Sequence, residues 1–170
     1  MGERSVLLTG ASGLIGRHVA KRMAALDGAR LVCILREGER HPQAPALIRE
    51  GAVVVPGNFY EPAVIEKVFE EHKIQQVIHL AAIRGGGKAA AVDFQEVNVR
   101  GTERLLRAAH ERKALKFIFC SSVGVYGTIP ENMPAGVESP FHGDNQYHQS
   151  KIEGEEAVQA YIRKGLNAYI

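Results

Sequence analysis

The sequence predicts an α/β protein, a doubly wound parallel sheet with helices on both faces. Three observations carry that expectation. Short apolar runs of strand length alternate with longer segments of helical periodicity along the chain. The first of these runs passes straight into Gly10, Gly13 and Gly16 and then into a helical pattern, the order strand, turn, helix start. The length of 170 residues and the 45% hydrophobic content suffice for one core and leave no room for a second full domain.

Val6, Leu7 and Leu8 form the opening strand, apolar enough to be buried on both faces. Without a Cβ, Gly10 can take the tight turn off that strand, Gly13 can let a diphosphate approach the backbone, and Gly16 can let the helix lie close. The free N–H groups at the helix start then face the anion. The spacing is G-x-x-G-x-x-G, one residue longer than the usual dinucleotide fingerprint. Leu14, Ile15, Val19, Met23, Ala24 and Leu26 continue at helical spacing, and Asp27 with Gly28 supplies a stop. LVCILR is the second strand. Arg36 stands at its end, where a dinucleotide site usually has an acidic residue for the ribose hydroxyls; a guanidinium suits a 2′-phosphate, so the position leans towards NADP over NAD. Glu37 beside it weighs against that lean.

Residues 38–50, rich in charge and carrying two prolines, are expected as a loop with one helical turn. AVVVPGN is the third strand, closed by Gly57 and Asn58. Pro62 then opens a helix whose apolar face is Val64, Ile65, Val68 and Phe69. QQVIHLAA is the fourth strand, in which His79 is expected to be a core histidine paired with backbone groups. RGGGK, residues 84–88, is a glycine cluster edging the site, with Lys88 solvated. One helix is expected from Asp93 to Glu111, with Asn98 inside it, followed by the fifth strand, KFIFCSS.

The bulk numbers exclude several classes. The formal net charge is +2 and basic residues are interspersed with acids, which is no nucleic-acid footprint. No apolar stretch approaches the ~18 residues of a membrane span, and MGERS leads directly into the first strand, so a soluble cytoplasmic protein is expected. Cys33 and Cys120 each sit in an apolar run as small buried hydrophobes, which argues against a disulfide framework or a metal site.

Tyr147 and Lys151 stand at i and i+4, so a helix brings them onto one face. A phenol titrates near pH 10, and lowering it to about 7 requires ~4 kcal/mol of phenolate stabilisation. A nearby ammonium, aided by the positive ring of an oxidised nicotinamide, has the sign and size for this.

Five segments, TGASGLIG, HLAA, NVRGT, SSVGVYG and YHQSK, stand in an order and at gaps that resemble the extended branch of the short-chain dehydrogenase/reductase superfamily, the epimerases and dehydratases. The resemblance implies a Rossmann-like fold and a catalytic set of Ser122, Tyr147, Lys151 and Asn98. Ser122 would hold the substrate oxygen, with Ser121 the alternative if the register slips by one. Tyr147 would move the hydroxyl proton, Lys151 would lower its pKa and anchor the nicotinamide ribose, and Asn98 would hold the geometry through neighbouring backbone or water. NAD or NADP would lie on Gly10, Ser12, Gly13, Leu14, Ile15 and Gly16 of the loop, then on Arg36, Asn58 and Phe59. Leu80, Ala81 and Ala82 after the fourth strand would complete that surface together with Tyr147 and Lys151. In the family an Asp stands at the position of Asn58 and contacts the adenine amino group, a bond the Asn58 amide oxygen can still accept.

The implied activity is an NAD(P)-dependent oxidoreductase or epimerase/dehydratase that passes a hydride between nicotinamide and a small carbinol or ketone, such as a nucleotide sugar or sterol. A non-catalytic dinucleotide sensor or interaction protein is the alternative, since fold does not fix function. Family members pair through helices corresponding to residues 93–112 and 147–164, which implies a homodimer. In that family the run GLNAYI begins strand six and a substrate-binding lobe follows. The sheet is therefore expected to be truncated there, with cofactor bound weakly and turned over poorly by these 170 residues.

Overall fold

The structure, a computed structural model, describes residues 4–85, 93–130 and 133–170. Its central strand is β1 (Arg4–Thr9), buried at every position after the first. Such a run is stable only between layers on both sides. β2 (Ala29–Leu35) and β3 (Val53–Pro56) extend the sheet on one side of it. β4 (Gln76–His79), β5 (Lys116–Phe119) and β6 (Ala168–Tyr169) extend it on the other. All neighbours are parallel, in the order β3-β2-β1-β4-β5-β6.

Alternation along the strands divides the core in two. Val6, Leu8, Leu31 and Cys33 pack with Ala20 of α1 (Leu14–Ala24) and Leu47 of α2 (Ala44–Arg49). Leu7, Val32, Val77 and Phe117 pack on the opposite face with three other helices. These are α3 (Pro62–His72), α4 (Gly101–Glu111) and α5 (Gln146–Arg163), which contribute Val68, Leu105 and Val158. The sheet is therefore doubly wound and Rossmann-like, as its sequence predicts. The chain turns from one half to the other between β1 and β4, and connections leaving in opposite directions open a crevice at the carboxyl ends of these strands.

Two segments differ from expectation. Residues 38–50 hold a 3₁₀ turn at Gly38–Arg40 and the short helix α2, where Pro45 in the opening turn forfeits no helical hydrogen bond. The helix expected over 93–111 is π-helical from Phe94 to Arg100 before it becomes α4. The π-segment coincides with Asn98, which is tied to different elements on two sides, and local departures of this kind are common where a side chain must be held off the regular lattice. Gly86, Gly87 and Lys88 of the second glycine cluster lie outside the described residues.

At the far edge, β6 pairs with β5 through two residues, and its outer side pairs with no strand among the described residues. Ile118, on the face that Leu8 occupies further in, is 37% exposed, and Tyr169 is 52% exposed. Among the described residues, no helix is long and apolar enough to cross a membrane.

Candidate active site

The crevice at the β1–β4 junction has a volume of about 590 Å³. Its floor is the glycine loop. Gly10 has φ +75°, and a Cβ there would lie 2.8 Å from the Ala81 amide nitrogen, so this position both turns the chain and sits against the segment leaving β4. A Cβ on Gly16 would lie 2.0 Å from the Gly10 carbonyl oxygen, which ties the start of α1 tightly to the loop. Gly13 differs: a Cβ there would meet only the Gly10 carbonyl, at 3.2 Å, and otherwise open space. It is the N-cap of α1 and supplies no side-chain cap, so the first-turn N–H groups face the crevice unshielded.

All of the positions predicted for cofactor contact line this one crevice. Ser12, Leu14 and Ile15 join the three glycines; Arg36, Asn58 and Phe59 come from the ends of β2 and β3; Leu80, Ala81 and Ala82 follow β4; Tyr147 and Lys151 face them from α5. The Asn58 amide nitrogen donates to Glu61 Oε1 at 2.5 Å. A carboxylate only accepts, so the carbonyl oxygen of Asn58 is left as the free acceptor.

Ser122 lines the crevice and caps a 3₁₀ turn, Val123–Tyr126, accepting from the Gly124 N–H at 3.1 Å. That bond uses a lone pair and leaves the hydroxyl hydrogen to donate. Ser121 points its hydroxyl to Glu155 of α5, so its proton is already committed. Of the two serines, Ser122 is the one with a donor to offer.

Tyr147 is half-buried in the first turn of α5, whose N-cap Asn145 accepts from the His148 N–H at 2.9 Å. One turn on, Lys151 is 4% exposed. Its Nζ donates to the Cys120 carbonyl at 2.6 Å and lies 4.1 Å from the centre of the Phe119 ring. Burial pulls its pKa down to about 8, partly offset by electrostatic interaction with Cys120 and Glu155. The lysine remains mostly charged at neutral pH but loses its proton far more readily than an exposed one. Helix α5 comes this close because Gly154 faces Phe119, where a Cβ would lie 2.7 Å from the ring. Cys120 departs from expectation: it is half-buried, at the crevice, and its carbonyl holds Lys151.

Asn98 stands behind the crevice, 3% exposed. Its amide clamps the Ile83 backbone from both ends, accepting from Ile83 N at 2.9 Å and donating to Ile83 O at 2.8 Å. It contacts the Ile83 backbone and, unlike the other three residues of the implied catalytic set, does not line the crevice. His79 is buried in the core as expected, but its partners are the hydroxyls of Thr9 and Thr102 rather than backbone groups. A strand-end imidazole between two threonines is better satisfied there, because the backbone N–H and C=O of β4 are engaged in the sheet ladders. Sequence reasoning missed Gly154, Ser150 and Glu155. Of these, only Glu155 carried a signal, one further turn along the stripe that holds Tyr147 and Lys151.

The strand order and the crevice define a Rossmann-type nucleotide-binding fold. The model of the NAD dependent epimerase/dehydratase family matches residues 6–170, and the chain belongs to that family. Among curated relatives, UDP-glucose 4-epimerase of Drosophila melanogaster is 32% identical, over 89% of this chain and 48% of that protein. The dTDP-D-glucose 4,6-dehydratase of Dictyostelium discoideum is 28% identical, over 94% of this chain and 41% of that protein. Among solved structures, UDP-glucose 4-epimerase from Brucella ovis in complex with NAD superposes with a TM-score of 0.82 at 28% identity, covering 97% of this chain and 50% of that one. The chain thus spans about half the length of these relatives.

Proposed function

We propose that this chain is the dinucleotide-binding and proton-transfer part of a cytoplasmic NAD-dependent epimerase or dehydratase acting on nucleotide sugars. One observation carries the reading: Ser122, Tyr147 and Lys151 face into the same crevice as an uncapped helix start behind Gly13. The residues fit a dinucleotide. The α1 N–H groups suit a diphosphate, Asn58 keeps an acceptor for an adenine amino group, and Lys151 offers donors beside the catalytic tyrosine. The family description and NAD-bound relatives such as the Brucella ovis enzyme support NAD, and they give no support to the lean towards NADP taken from Arg36. Nucleotide sugars are supported by the names of the relatives and by a UDP-glucose 4-epimerase from Bifidobacterium longum, solved with NAD and UDP at 25% identity and a TM-score of 0.81.

Bound NAD would accept the hydride of a carbinol carbon and, in an epimerase or dehydratase, return it. Tyr147, as phenolate, takes the hydroxyl proton while Ser122 donates to the same oxygen and holds it in line. The Lys151 ammonium favours the ionised phenol. Its burial strengthens that influence because little water screens it. Helix α5, which carries Tyr147 and Lys151, and the helical segment of residues 93–112 beside it are also the surface through which we propose that the protein pairs with a second copy.

The test combines a titration with a variant. NAD is expected to bind more tightly than NADP, and Tyr147→Phe to keep that affinity while losing about 10²–10⁴-fold in hydride transfer from a nucleotide sugar in the full-length protein. An unchanged rate in Tyr147→Phe, or no dinucleotide binding, refutes the reading. Binding without turnover by the unaltered full-length protein returns the sensor alternative.

A further inference from the structure

Five buried polar side chains link the two walls of the crevice from behind. Thr9, His79, Thr102, Asn98 and Ser150 are each at most 3% exposed. Their hydrogen bonds have determined directions. Thr102 Oγ1 donates to the Asn98 carbonyl at 2.5 Å, so its hydrogen is spent and it can only accept from His79 Nε2, 2.9 Å away. At the other end, Thr9 Oγ1 accepts from the Ala81 N–H at 3.2 Å and turns its own hydrogen to His79 Nδ1, at 2.6 Å. The Thr102 end fixes the tautomer as Nε2–H with Nδ1 bare, and the Thr9 hydroxyl then supplies the hydrogen that Nδ1 accepts.

The chain of bonds continues beyond Asn98. Its amide nitrogen donates to Ser150 Oγ at 2.9 Å, and Ser150 Oγ donates to the main-chain carbonyl of Tyr147 at 2.8 Å. A line of donors and acceptors thus runs from the backbone of Ala81, on the cofactor side, to the backbone of Tyr147, on the proton-transfer side. We infer that this buried relay is a positioning device, which sets the first turn of α5 against the segment leaving β4 with the His79 imidazole as its central link.

Every bond in the line is buried, so deleting the Thr102 hydroxyl leaves the His79 Nε2–H without its partner and the disturbance passes along the line. Burial, with the Lys151 charge in support, pushes the His79 pKa down to about 3, which keeps Nδ1 free for Thr9. The catalytic consequence of the relay rests on the function proposed above, but its existence does not, and the test uses neither cofactor nor substrate.

Hydrogen exchange read by mass spectrometry compares Thr102→Val, which keeps the shape and deletes the hydroxyl, with Thr102→Ser, which keeps the hydroxyl. Thr102→Val is expected to speed exchange about tenfold in both residues 80–85 and residues 146–151, while Thr102→Ser stays within about twofold of the parent. Acceleration confined to α4, or equal in the two variants, overturns the relay. Should Thr102→Val fail to fold, the unaltered chain decides: ¹⁵N NMR is expected to find His79 as a single Nε2–H tautomer that does not titrate between pH 5 and 8. An Nδ1–H tautomer or titration within that range overturns it. In the full-length protein, Thr102→Val is expected to lower kcat and to weaken NAD binding, because residues 80–84 line the crevice, while Thr102→Ser preserves both. The expected exchange pattern in a protein without turnover refutes the proposed activity and leaves the relay standing.

Discussion

The substitution Lys151→Met keeps the length of the side chain and removes the ammonium that α5 buries against Phe119. In the folded chain the lysine pKa falls from 10.5 to about 8, mainly through burial. At 1.36 kcal/mol per pKa unit, that fall means holding the charged form costs the fold about 3 kcal/mol. The unfolded chain therefore binds more protons than the folded one between about pH 8 and pH 10.5, and stability from this group rises with pH through that window. Below it both states are protonated and the cost is constant. Methionine removes the titration but orphans the Cys120 carbonyl, a loss of about 1–3 kcal/mol. At pH 7 the two effects nearly cancel and the proteins should unfold at similar urea concentrations. By pH 10.5 the parent should have gained about 3 kcal/mol relative to the variant, other titrations being common to both. Urea unfolding from pH 7 to 10.5 measures this difference directly. A flat difference, or one of opposite sign, refutes the account of Lys151 as a charge kept buried at the expense of the fold. The same variant should lose turnover at every pH, the usual trade between stability and a poised functional group.

Other variants separate groups that look alike in the sequence. Gly16→Ala forces a Cβ to within 2.0 Å of a backbone oxygen and is expected to lose about 3 kcal/mol or more, seen as a collapse in Tm. Gly13→Ala meets only the Gly10 carbonyl at 3.2 Å, so it should keep its Tm and lose dinucleotide affinity in a fluorescence titration. Ser122→Ala is expected to lower kcat about 10²-fold in the full-length protein, whereas Ser121→Ala breaks only the bond to Glu155 and should cost far less; steady-state kinetics on the pair fixes the register.

The strands and the glycine loop were legible because their signals are local: an apolar run of the right length, and glycines where the backbone must turn or touch. The crevice lining was legible for the same reason, since strand ends converge wherever the strands themselves are known. What could not be read were relations between distant segments. Nothing around Cys120 announces that its carbonyl would hold Lys151, because the bond depends on α5 approaching β5 over Gly154. The partners of His79 are two threonines, one on either side of it in sequence and far from it, which no periodicity relates. The π-helical turn at Asn98 likewise follows from ties to Ile83 and Ser150 rather than from the propensities of FQEVNVR.

The pairing at the middle of the sheet joins positions 70 apart in sequence, as Thr9 and His79 do. Closing so large a loop must precede any reward from the contacts it makes, which slows assembly. Groups drawn from Gly10 to Lys151 meet only after that closure, so the crevice exists nowhere in a partly assembled chain. On the function proposed above, dinucleotide uptake would report finished folding, and saturating nucleotide is expected to rescue destabilised variants by trapping the completed sheet.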